Sequence, residues 1–292
     1  MTAKASRGTM APTERHRLQR GAPLETNRYV REVLEEKGAE VKIAVAFKVV
    51  PDDQDIQVAS DGTLDFSKAK GTVSTYDLNA LEAAAQLAAA NPGSTVTAVT
   101  VGAASIDDSK LKKNVLARGV DELYMTADDA CKGLDARATA VALAELVSKV
   151  GDFDVILCGD GSADNYAQQV DVQLAAKLGL PVVTAATKIT AKDGALEVER
   201  TLEDVVEVVE VPLPAVVSVA PDIALPRIPG MKDILAAGKK PMNVAGADGA
   251  YESSIEVASC LAPKQADRKR EILEASADGA IEQFAAALKA AL

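Results

Sequence analysis

The stretch CGDGSADNYAQQV, residues 158–170, combines glycines with acidic, amide and hydroxyl side chains in a way that suits ligand binding. It follows the apolar run FDVIL and precedes DVQLAAKLG, which has the pattern of an amphipathic helix. A turn between a strand and a helix presents unpaired backbone N–H groups, and such groups bind phosphates. The stretch contains no lysine and matches neither G-x-x-x-x-G-K-[ST] nor G-x-G-x-x-G. Either it is a simple turn, or it holds a nucleotide without transferring its phosphates.

The histidine and cysteine content argues against two classes of catalytic site. The chain has one histidine, His16, and three cysteines, Cys131, Cys158 and Cys260, with no C-x-x-C spacing. We therefore expect neither a His-containing triad nor a zinc site of His and Cys ligands in the body of the protein. Cys158, at the end of a buried strand, is expected to contribute packing and not redox chemistry.

Composition narrows the possible partners. A formal charge of −11 argues against a nucleic-acid surface, which needs clustered Lys and Arg. No apolar run approaches the roughly 18–20 residues that a membrane span requires, so we expect no membrane insertion. The odd number of cysteines and the lack of a recognisable signal peptide fit a reducing, cytoplasmic location.

Strand-like and helix-like segments alternate from residue 41 to about residue 190. VKIAVAFKVV has the pattern of a buried strand that Pro51 ends, and YDLNALEAAAQLAAA that of a helix stopped by Asn91-Pro92-Gly93. Such alternation predicts an α/β fold: a doubly wound, mostly parallel sheet with helices on both faces. ALEVERTLEDVVEVVEVPLPAVVSVA then predicts an appended β-ribbon, and the last residues predict a C-terminal helical arm.

In a doubly wound sheet, ligands bind where the carboxyl ends of the strands meet. Four segments are expected at that edge: residues 46–48, STYD (74–77), Val101-Gly102 and the stretch 158–170. Gly159 and Gly161 would allow close approach of the backbone to a ligand. The groups expected to bond a ribose or base are Asp164, Asn165, Gln168 and Gln169. An equally open interpretation is that these side chains only cap the following helix.

We divide the chain into an N-terminal extension (1–40), a nucleotide-binding α/β domain (41–245) and a C-terminal arm (246–292). The interpretation of the extension stays open. It is either a disordered tail or an upstream reading frame that is not translated. In the second case the chain would start at Val41, since valine is what a GTG start codon encodes internally. A targeting peptide fits less well, because the segment has no apolar core and no cleavage site.

Seven ordered stretches resemble the beta subunit of electron transfer flavoproteins, most closely the FixA branch associated with anaerobic carnitine metabolism. They are VPDDQDI, LDFSKA, YDLNALEAA, CGDGSADNYAQQV, VERTLED, PLPAVVSV and IPGMKDILAAGKKP, and the resemblance covers residues 41–292. It implies an electron-carrier subunit without catalytic residues, in a heterodimer with an alpha subunit. The redox-active FAD would be held mainly by the alpha subunit. The beta subunit would bind AMP, or a second FAD as in electron-bifurcating relatives.

On the matching motifs, the resemblance implies a nucleotide site formed by strand ends and the 158–170 stretch. Its residues would be Ala46, Ser74, Thr75, Tyr76, Asp77, Val101, Gly159, Asp160, Gly161, Ser162, Ala163, Asp164, Asn165, Tyr166, Ala167, Gln168, Gln169 and Val170. The commoner family loop carries a Gln near Gly161 and a Thr or Val-Gly-Pro after Gln169. Here Val170-Asp171 follows, so the choice between AMP and FAD is open.

The segment APDIALPRIPGMK, residues 220–232, resembles the family's recognition loop, in which one exposed aliphatic side chain enters a pocket of an acyl-CoA-type dehydrogenase or reductase. The matching position is Ile223. Pro221, Pro226 and Pro229 favour a stiff surface loop over a strand. The alternative is that Ile223 is an ordinary core residue.

Glu199 and Arg200 in VERTLED could form an exposed ion pair that contributes little to stability. The resemblance implies that this segment runs near the subunit interface and the flavin. Arg200 could there stabilise an anionic reduced flavin.

Two other functions share this sheet architecture. One is a stand-alone nucleotide-binding regulator of the universal-stress type, which needs no alpha partner. The other is an adenylate-processing enzyme, which the lack of a Lys/Ser phosphate motif and of histidine disfavours. A yellow complex of two subunits would support the carrier, and a colourless homodimer would support the regulator.

Overall fold

The computed structural model describes residues 40–264 and 271–291. The extension predicted for residues 1–40 lies outside these ranges, apart from Glu40. The strands are β1 (Lys42–Ala46), β2 (Val49–Pro51), β3 (Gln57–Val58), β4 (Leu64–Asp65), β5 (Gly71–Val73), β6 (Thr95–Gly102), β7 (Glu122–Ala127), β8 (Val155–Gly159), β9 (Val182–Lys192), β10 (Ala195–Thr201), β11 (Val206–Pro212), β12 (Ala215–Val219) and β13 (Met242–Ala245). The helices are α1 (Thr75–Ala90), α2 (Ser109–Leu116), α3 (Ala136–Val150), α4 (Val170–Leu178), α5 (Met231–Ala237) and α6 (Ala280–Ala291).

Nine strands form one sheet in the order β11-β10-β9-β12-β8-β1-β6-β7-β13. β1 pairs in parallel with β6 and β8, β12 pairs in parallel with β8 and β9, and β7 pairs in parallel with β6 and β13. One face of the sheet packs on α1, α2 and α5, and the other packs on α3 and α4. The predicted mostly parallel α/β fold is therefore confirmed.

The central strands are apolar because they are covered on both faces. Ile43, Val45, Leu157 and Val217 are fully buried. Alanines of α1, including Ala84, are also fully buried, and their small side chains let the helix lie close to the Val-rich strands. Sequence and packing therefore agree at the centre of the sheet.

The single strand expected over residues 41–50 divides into β1 and β2, and Pro51 is the last residue of β2 instead of a terminator. Between them the backbone of Lys48 bonds outside the sheet, since its N–H donates to Asp77 Oδ2 at 2.7 Å. This acceptor is 29 residues away in sequence, so a pattern of neighbouring residues could not predict it. β13, which we did not predict, pairs in parallel with β7 and forms one edge of the sheet.

Of the segment interpreted as a ribbon, β10 and β11 form an antiparallel pair that extends the main sheet, since β10 pairs antiparallel with β9. The last part, which we also placed in the ribbon, forms β12, which pairs in parallel with β8 and β9 within the sheet. The ion pair expected between Glu199 and Arg200 is wrong. Glu199 pairs with Lys188, and Arg200 pairs with Glu207 on β11. The reason is geometric: neighbouring residues of a strand point to opposite faces, so ion partners lie across strands.

Chain contacts divide the molecule into two compact units. Within the described ranges, the first comprises residues 40–50 and 73–254 and contains the nine-stranded sheet. The second comprises residues 51–72, 255–264 and 271–291. In the second unit β3 pairs with β4, and Ala262 N–H donates to the Gly62 carbonyl at 2.8 Å. The boundaries that we drew at residues 40 and 245 stay predictions.

None of the helices within residues 40–264 and 271–291 is long and apolar enough to cross a bilayer.

Candidate functional site

The carboxyl ends of β1, β6 and β8 meet at one edge of the sheet. From β1 the chain crosses through α1 to β6 on one side and later returns to β8 on the other, so β1 and β8 flank the topological switch point. The predicted nucleotide residues lie here: Ala46 and Gly159 end β1 and β8, Val101 lies near the end of β6, Ser74 to Asp77 begin α1, Asp160 to Gln169 form the loop, and Val170 begins α4. The structure thus brings this predicted set together.

Asp77 ties the two central strand ends to α1. Its Oδ2 accepts the Lys48 N–H at 2.7 Å, and its Oδ1 accepts the Gly159 N–H at 3.2 Å. The side chain is 5% exposed, so it serves the protein backbone and does not face a ligand. Burial raises the pKa of Asp77 to about 7, although the two N–H donors favour the charged form. We therefore assign Asp77 a positioning role at this edge of the sheet.

The raised pKa predicts a pH dependence of stability. A carboxyl group whose folded pKa exceeds its unfolded value stabilises the folded state most below the unfolded pKa, near 4, and this stabilisation is lost as the pH rises to about 7. In urea unfolding of the full chain from pH 5 to 8, we expect Asp77→Asn to gain stability relative to wild type as the pH rises. Asp77→Asn also removes one hydrogen-bond acceptor, and the resulting loss of stability is the same at every pH.

Asp128→Asn is the matched control for this measurement. Hydrogen bonds from the backbone N–H groups of Ala130 and Ala247 lower the pKa of Asp128. In contrast to Asp77, ionised Asp128 therefore stabilises the folded state, and this stabilisation is lost as the pH falls. A difference between Asp77→Asn and wild type that stays constant from pH 5 to 8 would show that Asp77 does not titrate in this window.

Lys48 places a positive charge beside the loop between β8 and α4, which has no lysine of its own. Its Nζ donates to Asp164 Oδ2 at 2.6 Å and Oδ1 at 2.8 Å, and it lies 3.5 Å from Ser162 Oγ. Burial opposes ionisation of Asp164, but these bonds hold its pKa below the ordinary value. The signal was present in the sequence, since Lys48 follows β1 by two residues and so falls at the same sheet edge.

The loop is held by its own side chains in a strained conformation. Tyr166 and Gln168 have positive φ angles of 44° and 53°, which cost about 1–3 kcal/mol each for residues other than glycine. The Tyr166 hydroxyl and the Gln168 amide both donate to Asp160 Oδ2, at 2.8 and 2.9 Å. The first of these bonds raises the pKa of Tyr166 to about 12. The Tyr166 ring also contacts that of Tyr76, with centroids 4.9 Å apart.

The two loop glycines serve the protein's own packing. A Cβ at Gly159 would lie 2.5 Å from Asp77 Oδ1 and 2.9 Å from the Tyr76 carbonyl carbon, and one at Gly161 would collide with the Tyr166 ring. The absence of a Cβ is thus already required by the close approach of Asp77 and Tyr166, and the expected approach of these glycines to a ligand stays a prediction.

Two helices begin at this edge without a side-chain cap from their N-cap residues, Ser74 and Gln169. Ser74 Oγ instead accepts the Ala163 N–H at 3.2 Å and so ties the loop to α1. Asp171, in the first turn of α4, is 4% exposed, and its Oδ1 has no hydrogen-bond partner among the described residues. Uncapped N–H groups with one nearby ammonium fit a phosphate. The carboxylates at the same edge limit how much negative charge it can hold.

Ile223 is not the exposed side chain that we expected. It is partly buried and packs against the core on the α1 face. The exposed apolar residues of this loop are Leu225 (91% exposed) and Ile228 (94%), followed by Met231 (77%) at the start of α5. The Ile223 N–H donates to the Ala220 carbonyl at 3.2 Å, so the residue lies in a turn that leaves β12. The proline-rich segment is nevertheless a loop and not a strand.

Arg200 lies on β10 and is bound to Glu207, with Nε 2.7 Å from the carboxylate. Cys158 is buried, and burial raises the pKa of its thiol well above the usual value, in line with a packing role. Residues 40–264 and 271–291 contain no cluster of three His, Cys, Asp or Glu side chains that could hold a metal ion.

The family model of the electron transfer flavoprotein domain matches residues 61–250, more than half of the chain. The chain belongs to the electron transfer flavoprotein family. The matched range runs from β4 to β13 and includes α1 to α5 and the whole loop between β8 and α4. Members of the electron transfer flavoprotein family are electron carriers, so the expected role in electron transfer is confirmed at the level of the family.

Proposed function

We propose that this protein is the beta subunit of a heterodimeric electron transfer flavoprotein of the FixA branch, of the carnitine-metabolism type. It would carry electrons between a donor and an acyl-CoA-type dehydrogenase or reductase. The observation that supports this assignment best is the loop at the β1–β8 switch point, within a chain of this family. That loop carries CGDGSADNYAQQV, one of the seven stretches by which the sequence resembles the beta subunit.

The nucleotide at this site would be AMP, or a second FAD. Lys48 would approach a phosphate, because its ammonium already contacts the loop through Asp164. Asp164 and Gln169 would accept hydrogen bonds from ribose hydroxyls. The redox-active FAD, held mainly by the alpha subunit, would supply the electron transfer when bound. This chain would bind the nucleotide, shape the edge and exclude water from it.

Arg200 remains our candidate for a residue near the flavin. Its side chain is 28% exposed, and its guanidinium is bound to Glu207, which neutralises part of its charge. A contribution to an anionic reduced flavin would therefore be modest.

For the dehydrogenase contact we propose Leu225, Ile228 and Met231 in place of Ile223. Large apolar side chains that are exposed together on one loop are typical of a protein interface. Their burial by a partner would remove them from water without unfolding the core.

Cofactor content tests the assignment. We expect co-expression with an alpha subunit to yield a yellow heterodimer, whose denatured extract contains one FAD and one AMP per complex by chromatography. Two FAD and no AMP would instead identify the bifurcating type of site. A colourless homodimer that fails to bind an alpha subunit would contradict the proposal.

A further inference from the structure

Loop 220–231 presents apolar side chains to solvent and yet has a defined backbone. Leu225, Ile228 and Met231 are 91%, 94% and 77% exposed. Side chains that remain in water provide no hydrophobic stabilisation for the loop that carries them. Ile223 packs against the core at the start of the loop, and polar contacts from α1 and from Arg118, just after α2, order the rest.

Asn79 on α1 bonds the first part of the loop. Its Nδ2 donates to the carbonyl oxygens of Pro221 and Ala224, both at 2.8 Å. Asn79 is only 8% exposed, and both of its amide hydrogens are used. A helix side chain that satisfies two loop carbonyls replaces the backbone partners that an irregular segment lacks.

Glu82, one turn further along α1, bonds the second part. Its carboxylate accepts from Arg227 Nε at 2.6 Å, from Nη2 at 3.1 Å and from the backbone N–H at 3.2 Å. Glu82 is buried, which raises its pKa, but the bonds from Arg227 and Gln86 hold it below the ordinary value. On the other side, Arg118 Nη1 donates to the Arg227 carbonyl at 2.6 Å. A bidentate pair with one buried partner fixes the backbone on both sides of Arg227.

We propose that Asn79 and Glu82 are positioning residues, which hold loop 220–231 in the conformation that presents Leu225, Ile228 and Met231 to the partner dehydrogenase. This inference rests on the proposed docking role of the loop. An interface that is ordered before binding loses less conformational entropy on association, so the bonds raise affinity without touching the partner. Asn79 and Glu82 follow directly on the turn of α1 that fixes the nucleotide loop through Ser74 and Asp77.

The test uses the complete heterodimer with Asn79→Ala combined with Glu82→Gln. Glu197→Gln is the matched control, because it weakens an ion pair with Lys192 on the β-sheet and does not touch the loop. Trypsin cleavage of the Arg227–Ile228 bond, followed by intact mass, reports order in the loop. Loss of these bonds should accelerate this cleavage about tenfold, while the control digests like wild type.

The second readout is the rate of electron transfer from an acyl-CoA dehydrogenase, measured as a function of heterodimer concentration. The dehydrogenase chosen is one whose rate reaches saturation with the wild-type heterodimer. We expect KM for the heterodimer to rise about tenfold with unchanged kcat, since an ordering cost weakens binding and leaves the flavin unaltered. Ile228→Ala with Met231→Ala, measured in parallel, tests docking itself by removing apolar surface without loosening the loop.

Faster cleavage together with a raised KM would support the proposal. Unchanged cleavage would overturn it, whatever the kinetics. Faster cleavage with an unchanged KM, while Ile228→Ala with Met231→Ala raises KM, would overturn the positioning role and leave docking intact. If that apolar variant also left KM unchanged, the docking role would be wrong and the inference would fall with it.

Discussion

We expect a chain that ends at Ala262 to fold and to fail to capture an alpha subunit. The helix α6 buries only Ala280 and exposes Ile281 (79%), Phe284 (60%) and Leu288 (49%). A short amphipathic helix is marginal in water by itself, so this apolar stripe needs a partner. Burial of three such side chains contributes about 4.5 kcal/mol or more, which is roughly a thousandfold in affinity. Size-exclusion chromatography of the mixed subunits measures the loss.

Serine substitutions in the full-length chain test whether the apolar side chains of α6, and not merely the presence of the arm, bind the alpha subunit. Ile281→Ser, Phe284→Ser and Leu288→Ser together should weaken the heterodimer about as strongly as the truncation. Leu225→Ser with Ile228→Ser, in the loop that we propose faces the dehydrogenase, provides a control of similar exposed apolar area on a different part of the chain. Retention of a stable heterodimer by both the truncated and the serine-substituted chains would exclude the arm as the main contact. Leu292, four residues after Leu288 in the sequence, lies outside the described residues and is not part of this test.

The second large effect is expected at Lys48. Lys48→Met should lower the affinity for AMP about tenfold to a hundredfold, because a charge-assisted hydrogen bond contributes about 1.5–3 kcal/mol. The same change also removes the tie between β1 and the loop at Asp164. Isothermal titration of the nucleotide-free heterodimer with AMP measures the loss, and the double variant Asp164→Ala with Gln169→Ala should release AMP as well.

Two variants make this result specific. Lys48→Arg keeps the positive charge and should recover most of the affinity. Lys188→Met breaks an exposed ion pair with Glu199 on β9 and β10 and should leave AMP binding unchanged. Wild-type affinity in Lys48→Met would place the phosphate elsewhere along the edge.

The fold class could be predicted because its signals are local. Val-rich runs predict covered strands, and the Ala-rich segment between residues 75 and 90 forms α1 as expected. Most of the predicted nucleotide residues also meet at one edge, because the carboxyl ends of parallel strands share an edge regardless of side-chain detail. Alternation of strands and helices is thus enough to position a site, although not to assign the role of each side chain.

The roles within the edge depended on contacts distant in sequence. Asp77 belonged to the expected nucleotide set, but its carboxylate is used by the backbone of Lys48 and Gly159. The two loop glycines were expected to admit a ligand, and the structure shows that they also make room for Asp77 and Tyr166. Both differences arise because a buried polar group must find a partner, and the nearest partner in space is rarely the nearest in sequence.

The sequence by itself determined the alternation of strands and helices, the polar loop between β8 and α4, and the proline-rich loop after β12, since periodicity and turn residues act over a few positions. Tertiary structure decided which charges meet. Lys48 reaches Asp164 across 116 residues, and Glu82 reaches Arg227 across 145. It also decided that Ile223 turns inward while Ile228 faces solvent, because exposure depends on what packs against a loop. The residues next to Ile223 in the sequence do not show that the core on the α1 face packs against it, because these elements come together only in the folded chain.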